Sequence, residues 1–180
     1  MHLVEKFLGH VDFYTQVLFG SGSEVASILD RFVMVRPGIG SADDETPTII
    51  DGYFLQAAVR TRHRPAAELL LSRFTHGYLP TTGMLYPTCI PRHLGAAAAL
   101  MDRLEEARRY YAEAVKVTTE MPFRPELALT RFQLAELLLE HFPAEKADAL
   151  EHLDFAIKEF REMKMQPSLE RALKQRGTVT

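Results

Sequence analysis

Apolar residues along this chain recur at intervals of three and four, and the recurrence is interrupted by proline and glycine. That spacing predicts a succession of amphipathic helices. Leu3, Val4, Phe7, Leu8, Val11, Tyr14, Val17 and Leu18 form one broad face over 3–18, closed by Gly20-Ser21-Gly22. A second helix is expected over 23–35, burying Val25, Ile28, Leu29, Phe32 and Val33. Ser21 and Glu24 have capping-box spacing before it, and Pro37 and Gly38 end it. Ile50, Phe54, Ala57 and Ala58 mark a helix over 48–63, and Ala67, Leu70, Leu71 and Phe74 mark another over 64–76. Residues 92–121 read as a helical hairpin: small residues, a polar turn at Asp102 and Arg103, then Ala107, Tyr111 and Ala114 on one face. Leu127, Leu134, Ala135, Leu138 and Leu139 continue the pattern over 126–142. Ala149, Leu150, Leu153, Ala156, Ile157 and Phe160 carry it over 144–164, and Leu169, Ala172 and Leu173 form a last stripe. Pro65, Pro91, Pro125, Pro143 and Pro167 stand where helices begin, the position at which the missing N–H was unpaired anyway.

The second helices of these pairs repeat one another. Ala67, Ala107 and Ala149 recur 40 and 42 residues apart, followed four positions later by Leu71, Tyr111 and Leu153 and seven later by Phe74, Ala114 and Ala156. In the first helices Leu94-Gly95-x-x-Ala98 matches Leu134-Ala135-x-x-Leu138. Small residues let antiparallel helices approach, and large ones fill the space between hairpins. The order Leu94, Gly95, Ala98, Ala107, Tyr111, Ala114 resembles the tetratricopeptide repeat. The expected fold is therefore all-α: antiparallel helical hairpins stacked as a tetratricopeptide-like superhelix. The chain reads as one helical-repeat domain over 1–180, with an irregular N-terminal hairpin (1–35), repeat hairpins at 48–76, 91–121 and 125–164, and a C-terminal capping helix at 167–176 whose outer face is charged.

Two connections stand apart. Residues 36–47 combine turn formers with Asp43, Asp44 and Glu45 and read as a solvated linker, because the acidic run would repel a phosphate brought to Gly38-Ile39-Gly40. Residues 77–90 carry no charge but contain Tyr78, Leu79, Met84, Leu85 and Tyr86, so they are expected to pack on the helices, with a binding element as the alternative.

A more extended resemblance covers roughly residues 48–175. Arg92-x-Leu94-Gly95-x-x-Ala98-Ala99, then Leu104-Glu105-Glu106-Ala107 with Tyr110 and Tyr111 behind it, then Arg124-Pro125-x-Leu127-Ala128-x-Thr130-Arg131, and finally Ala149-Leu150 through Met165, resemble the helical C-terminal region of large bacterial signalling proteins. In that family adenylate/guanylate cyclase or DNA-binding modules are joined through a signal-transduction ATPase domain to tetratricopeptide-like repeats. The resemblance implies a protein-docking or sensor role. It does not bring the ATPase with it, because the chain has no Gly-Lys pair and so no phosphate cradle.

Composition narrows this further. The 180 residues carry 21 basic and 24 acidic side chains, a net charge of −3, without the basic excess of a nucleic-acid surface. No apolar run is long enough to span a membrane. The lone Cys89 permits no intrachain disulfide and suits a reducing cytoplasm. Seven histidines are present, but His63, His76, His93, His141 and His152 show no helical metal-site spacing. Cys89 and His93 are four apart, which would make them neighbours on a helix, yet no third orienting group accompanies them, and a buried structural cysteine is the expectation. The expected function is non-enzymatic, without cofactor or metal: docking of a protein or peptide segment, with self-association as a further mode. A small-molecule sensor whose 77–90 loop closes a pocket is the alternative.

In a stacked-hairpin protein the first helices line the concave side. That register places Tyr53, Gln56 and Arg60, then Arg92 and His93, then Gln133, Glu136 and Glu140 in the groove. Its basic part, near Arg60 and Arg92, would suit an acidic or carboxyl-terminated peptide by charge.

Overall fold

A computed structural model describes residues 14–41, 43–81 and 87–179. Among these the chain is helical, with turns between helices and one isolated bridge pairing Thr81 with Cys89. After a helical run at 14–19 come α1 (Gly22–Leu29), α2 (Thr48–Arg60), α3 (Arg64–Arg73), α4 (Ile90–Leu100), α5 (Leu104–Glu120), α6 (Arg124–His141), α7 (Lys146–Glu162) and α8 (Gln166–Val179). Most of the helix expected over 3–18, and the middle of the 77–90 loop, lie outside the described residues. The chain divides into two compact units, 1–93 and 94–180, with the boundary inside α4.

In the first unit the Ser21 capping box forms as its spacing predicts. The Ser21 N–H donates to Glu24 Oε2 at 2.9 Å, and the Glu24 N–H reaches back to the Ser21 hydroxyl. The helix does not run unbroken to Val35. It passes at Asp30–Met34 into one wider π turn, and the extra residue in that turn changes which side chain meets the core. Val33 is fully buried and Phe32, expected inside, is 39% exposed. The α2 and α3 helices run antiparallel, since Asp51 near the start of α2 meets Arg73 at the end of α3. Val17, Val25, Leu29, Phe54, Leu55, Leu70, Leu71 and Phe74 are buried in this unit. Of the described part of the 77–90 segment, Thr88, Cys89 and Ile90 are buried, whereas Leu79 is 65% exposed at the edge of a crevice with Thr48, Ile49 and Phe74.

The second unit is built around an apolar core cluster. Ala128, Phe132 and Ala135 of α6 meet Leu153, Ala156, Ile157 and Phe160 of α7 and Ala172 of α8. The Phe132 and Phe160 rings meet edge to face with centroids 6.0 Å apart, and burying a phenyl side chain contributes about 1.5–3 kcal/mol. Arg124 at the start of α6 pairs with Glu159 and Glu162 at the end of α7, while Arg131 pairs with Glu151, so these helices are antiparallel. Asp154 with Arg176 and Lys146 with the Val179 carbonyl set the same relation between α7 and α8. Between α4 and α5 the approach is close enough to require glycine. A Cβ on Gly95 would stand 2.9 Å from the Tyr111 ring.

One turn recurs. Arg62, Asp102 and Lys164 each adopt positive φ, at 56°, 61° and 57°, after α2, α4 and α7. In each case the next N–H donates to the carbonyl five residues back: His63 to Ala58, Arg103 to Ala98 and Met165 to Phe160, at 2.8–2.9 Å. This is the hydrogen bond that closes a helix with a left-handed residue. All nine residues of the repeated register, from Ala67 through Ala156, are buried. No described helix is long and apolar enough to cross a membrane.

Candidate functional site

The residues expected to line one groove have different surroundings. Tyr53 is buried in α2 with its ring 5.3 Å from that of Tyr14, and Gln56 beside it is half-buried. Arg60 is exposed, but its Nη2 donates to the carbonyls of Val17 and Gly20 at 3.4 and 3.1 Å. Its charge is spent on holding the end of the 14–19 helix, where carbonyls lack helical partners.

Arg92 and His93 are 7% and 3% exposed, so neither lies open in a groove and Arg92 does not offer the basic surface expected of it. Arg92 Nη2 donates to Thr88 Oγ at 3.0 Å and lies 3.3 Å from His93 Nε2, and Thr88 Oγ is 2.6 Å from the same nitrogen. Because a guanidinium can only donate, Nε2 is the accepting nitrogen and the Thr88 hydroxyl donates to it. Burial first, and the Arg92 charge second, hold the His93 pKa well below its ordinary value, so the ring is neutral. Cys89 is fully buried and His93 Nε2 accepts from Thr88, so these two residues are not arranged as an accessible nucleophile and base.

Gln133, Glu136 and Glu140 lie on α6 in the second unit. Glu136 is half-buried and 3.5 Å from Arg171 of α8; burial raises its pKa against the opposing pull of that arginine. Glu140 is exposed. It lines an open crevice of about 490 Å³ with Leu139, Pro143, Lys146, Gln175, Thr178 and Val179.

The first unit contains features that the residue pattern did not single out. Asp51 is fully buried on α2, and Arg36 Nη2 donates to its Oδ1 at 2.8 Å while Arg73 Nε donates to Oδ2 at 3.3 Å. Asp44, from the segment expected to be solvated, turns inward against the same two arginines at 3.4 and 3.5 Å, with its side chain 1% exposed. It also accepts the N–H groups of Gly40 and Thr46. Burial would raise its pKa, but these bonds and Arg36 outweigh that and lower it. For Asp51 burial prevails over Arg36 and the pKa is raised. Gly40, at φ 79°, lets the loop come close to Arg73; an added Cβ would stand 3.2 Å from its Cδ. The signal in the sequence was an acid inside the apolar helix 48–60, which needs a buried partner.

Above this network opens a cavity of about 560 Å³ lined by Tyr14, Arg31, Phe32, Arg36, Thr46, Ile50 and Phe54. Phe32 and Phe54 face each other nearly parallel, with centroids 6.4 Å apart. The π turn places Arg31 and Phe32 together at its rim, the guanidinium 5.2 Å from the ring centroid. Among the described residues no group of three or more His, Cys, Asp or Glu side chains could hold a metal ion.

No family model, curated protein or solved structure matches this chain.

Proposed function

We propose that the chain is a non-enzymatic docking module, built as a tetratricopeptide-like stack of helical hairpins, which binds a protein segment on the α6–α8 face of its second unit. The observation that carries this reading is the crevice at Glu140, where Leu139, Pro143 and Val179 supply an apolar seat beside an exposed carboxylate. The recurrent turn and the buried Ala/aromatic register support the repeat architecture. The resemblance to helical regions of bacterial signalling proteins supports a regulatory setting in the cytoplasm. The partner that fits is a segment with one apolar side chain for the seat and a Lys or Arg for Glu140. This replaces the acidic peptide expected at Arg60 and Arg92, because those cations bond within the chain.

A photo-crosslinking residue placed at Glu140, compared with one at the exposed Lys116 of α5, tests the reading. Crosslinks confined to Glu140, to a partner whose affinity falls about tenfold in Glu140→Arg, are expected, since removing and reversing an ion pair alters binding on this scale. Equal crosslinking at both positions, or unchanged affinity in the variant, would overturn it.

A further inference from the structure

The geometry of the first unit points to a ligand site independent of the docking face. We propose that the cavity between the π turn and α2 binds a small aromatic carboxylic acid as its anion. Three observations converge. At about 560 Å³ the cavity has the size of a small-molecule site, and such sites are mostly apolar with a few placed polar groups. Its apolar wall is largely aromatic: Phe32, Phe54 and Tyr14 line it with Ile50, and the Phe32 and Phe54 rings are nearly parallel, so a flat ring fits better than a flexible chain.

Its charged lining is cationic. Arg31 and Arg36 line it, and no carboxylate does so among the described residues. The two arginines contribute differently. Arg36 is already balanced by Asp51 and Asp44 through Nη2. It therefore presents a guanidinium held in place at the cavity wall and contributes little net charge. Arg31 is exposed and has no carboxylate partner among the described residues, its guanidinium lying instead over the Phe32 ring. It supplies the net charge that distinguishes an acid from its amide. The π turn matters here because it puts Arg31 and Phe32 at the rim together, one for the carboxylate and one for the ring.

The experiment is calorimetric titration of the full chain with 1-naphthoate, 1-naphthamide and octanoate. Saturable binding of 1-naphthoate, at least about tenfold tighter than the other two, is expected, the range of a hydrogen bond to a charged group. Arg31→Gln should abolish the preference over the amide while leaving amide binding unchanged. Ile50→Trp should block both aromatic compounds by filling the cavity. Arg36→Gln also removes a partner of Asp51 and can unfold the unit, so the exposed Arg31 carries the test. No saturable binding, equal affinity for acid and amide, no effect of Arg31→Gln, or binding that survives Ile50→Trp would each overturn the proposal. Octanoate binding as tightly as 1-naphthoate would overturn the aromatic assignment. None of these results depends on crosslinking at Glu140, so the two readings fail separately.

Discussion

The two units of this chain bury different chemistry in their interiors. The second closes on alanine, leucine, isoleucine and phenylalanine and buries one carboxylate, Glu126 on α6, while the ion pairs described for it lie at the periphery of α6, α7 and α8. The first encloses two carboxylates and two guanidinium groups at Asp44, Asp51, Arg36 and Arg73, and leaves Phe19, Phe32, Val35 and Leu79 among its exposed residues. A dry core depends on shape and tolerates volume-conserving exchange. A buried ionic network depends on every partner being present, because removing one leaves an uncompensated charge. The two proposals divide along the same line: docking is placed on the regular unit, and the ligand site on the irregular one, whose exposed residues include Phe32.

The strongest way to break this contrast is Asp51→Ala. With Asp51 gone, Arg36 and Arg73 keep only Asp44, at 3.4 and 3.5 Å. The expected loss is about 3–5 kcal/mol, read as a shift in the urea midpoint, with amide-exchange protection lost first around α2 and α3. A loss below about 1 kcal/mol would mean that water already reaches the network, and the contrast would fail.

Much of this architecture was legible in the sequence because it is written in local rules. Ser21 and Glu24 announced a cap that forms, proline marked the helix starts, and the spacing from Ala67 to Ala156 picked out nine buried residues. The inward turn of Asp44 was not legible, since an acidic run beside glycine ordinarily points to water and its partners are eight residues before it and 29 after it. Nor was the burial of Arg92 and His93. Helical periodicity tells which residues share a face of α4, but not that Thr88 lies beside them to satisfy their polar atoms. The wide turn at Asp30–Met34 escaped for a related reason, because a period of 3.6 residues assumes that no turn takes an extra one.

Gly95→Ala sharpens the other side of the contrast. The added methyl would sit 2.9 Å from the Tyr111 ring, and overpacking of this kind costs about 1–3 kcal/mol. Tyr111→Leu in the same chain should recover part of the loss by making room. If Gly95→Ala alone is neutral, the α4–α5 contact yields too easily to count as a shape-dependent core.

A pH titration separates the units by their histidines. The His93 pKa is depressed by burial and Arg92, so the unfolded chain takes up a proton near its ordinary value of about 6.5 while the folded ring stays neutral. Stability is therefore fully present above that pH and declines as the pH falls below it, with a limiting slope of about 1.4 kcal/mol per pH unit for one group. His152 on α7 is depressed too, by burial and by Arg131, and adds to the slope in the same direction. His93→Gln should flatten the midpoint-versus-pH curve between about pH 6.5 and 5, leaving the share due to His152. An unchanged curve would show that His93 titrates normally and is not held by its buried neighbours.

The smallest effect is expected where the second unit does carry charge. Arg124 donates to Glu159 at 2.8 Å and to Glu162 at 2.7 Å, shorter than most contacts in the Asp51 network. Those bonds and charges raise its pKa. Yet its side chain is 54% exposed, so water and salt compete for both partners and the interaction is screened. Arg124→Gln should leave the urea midpoint unchanged within error at physiological salt and lower it only slightly at low salt. Short distance alone would rank Arg124 above Arg73; burial reverses that order. A shift for Arg124→Gln as large as that for Asp51→Ala would show that the second unit also depends on ion pairing.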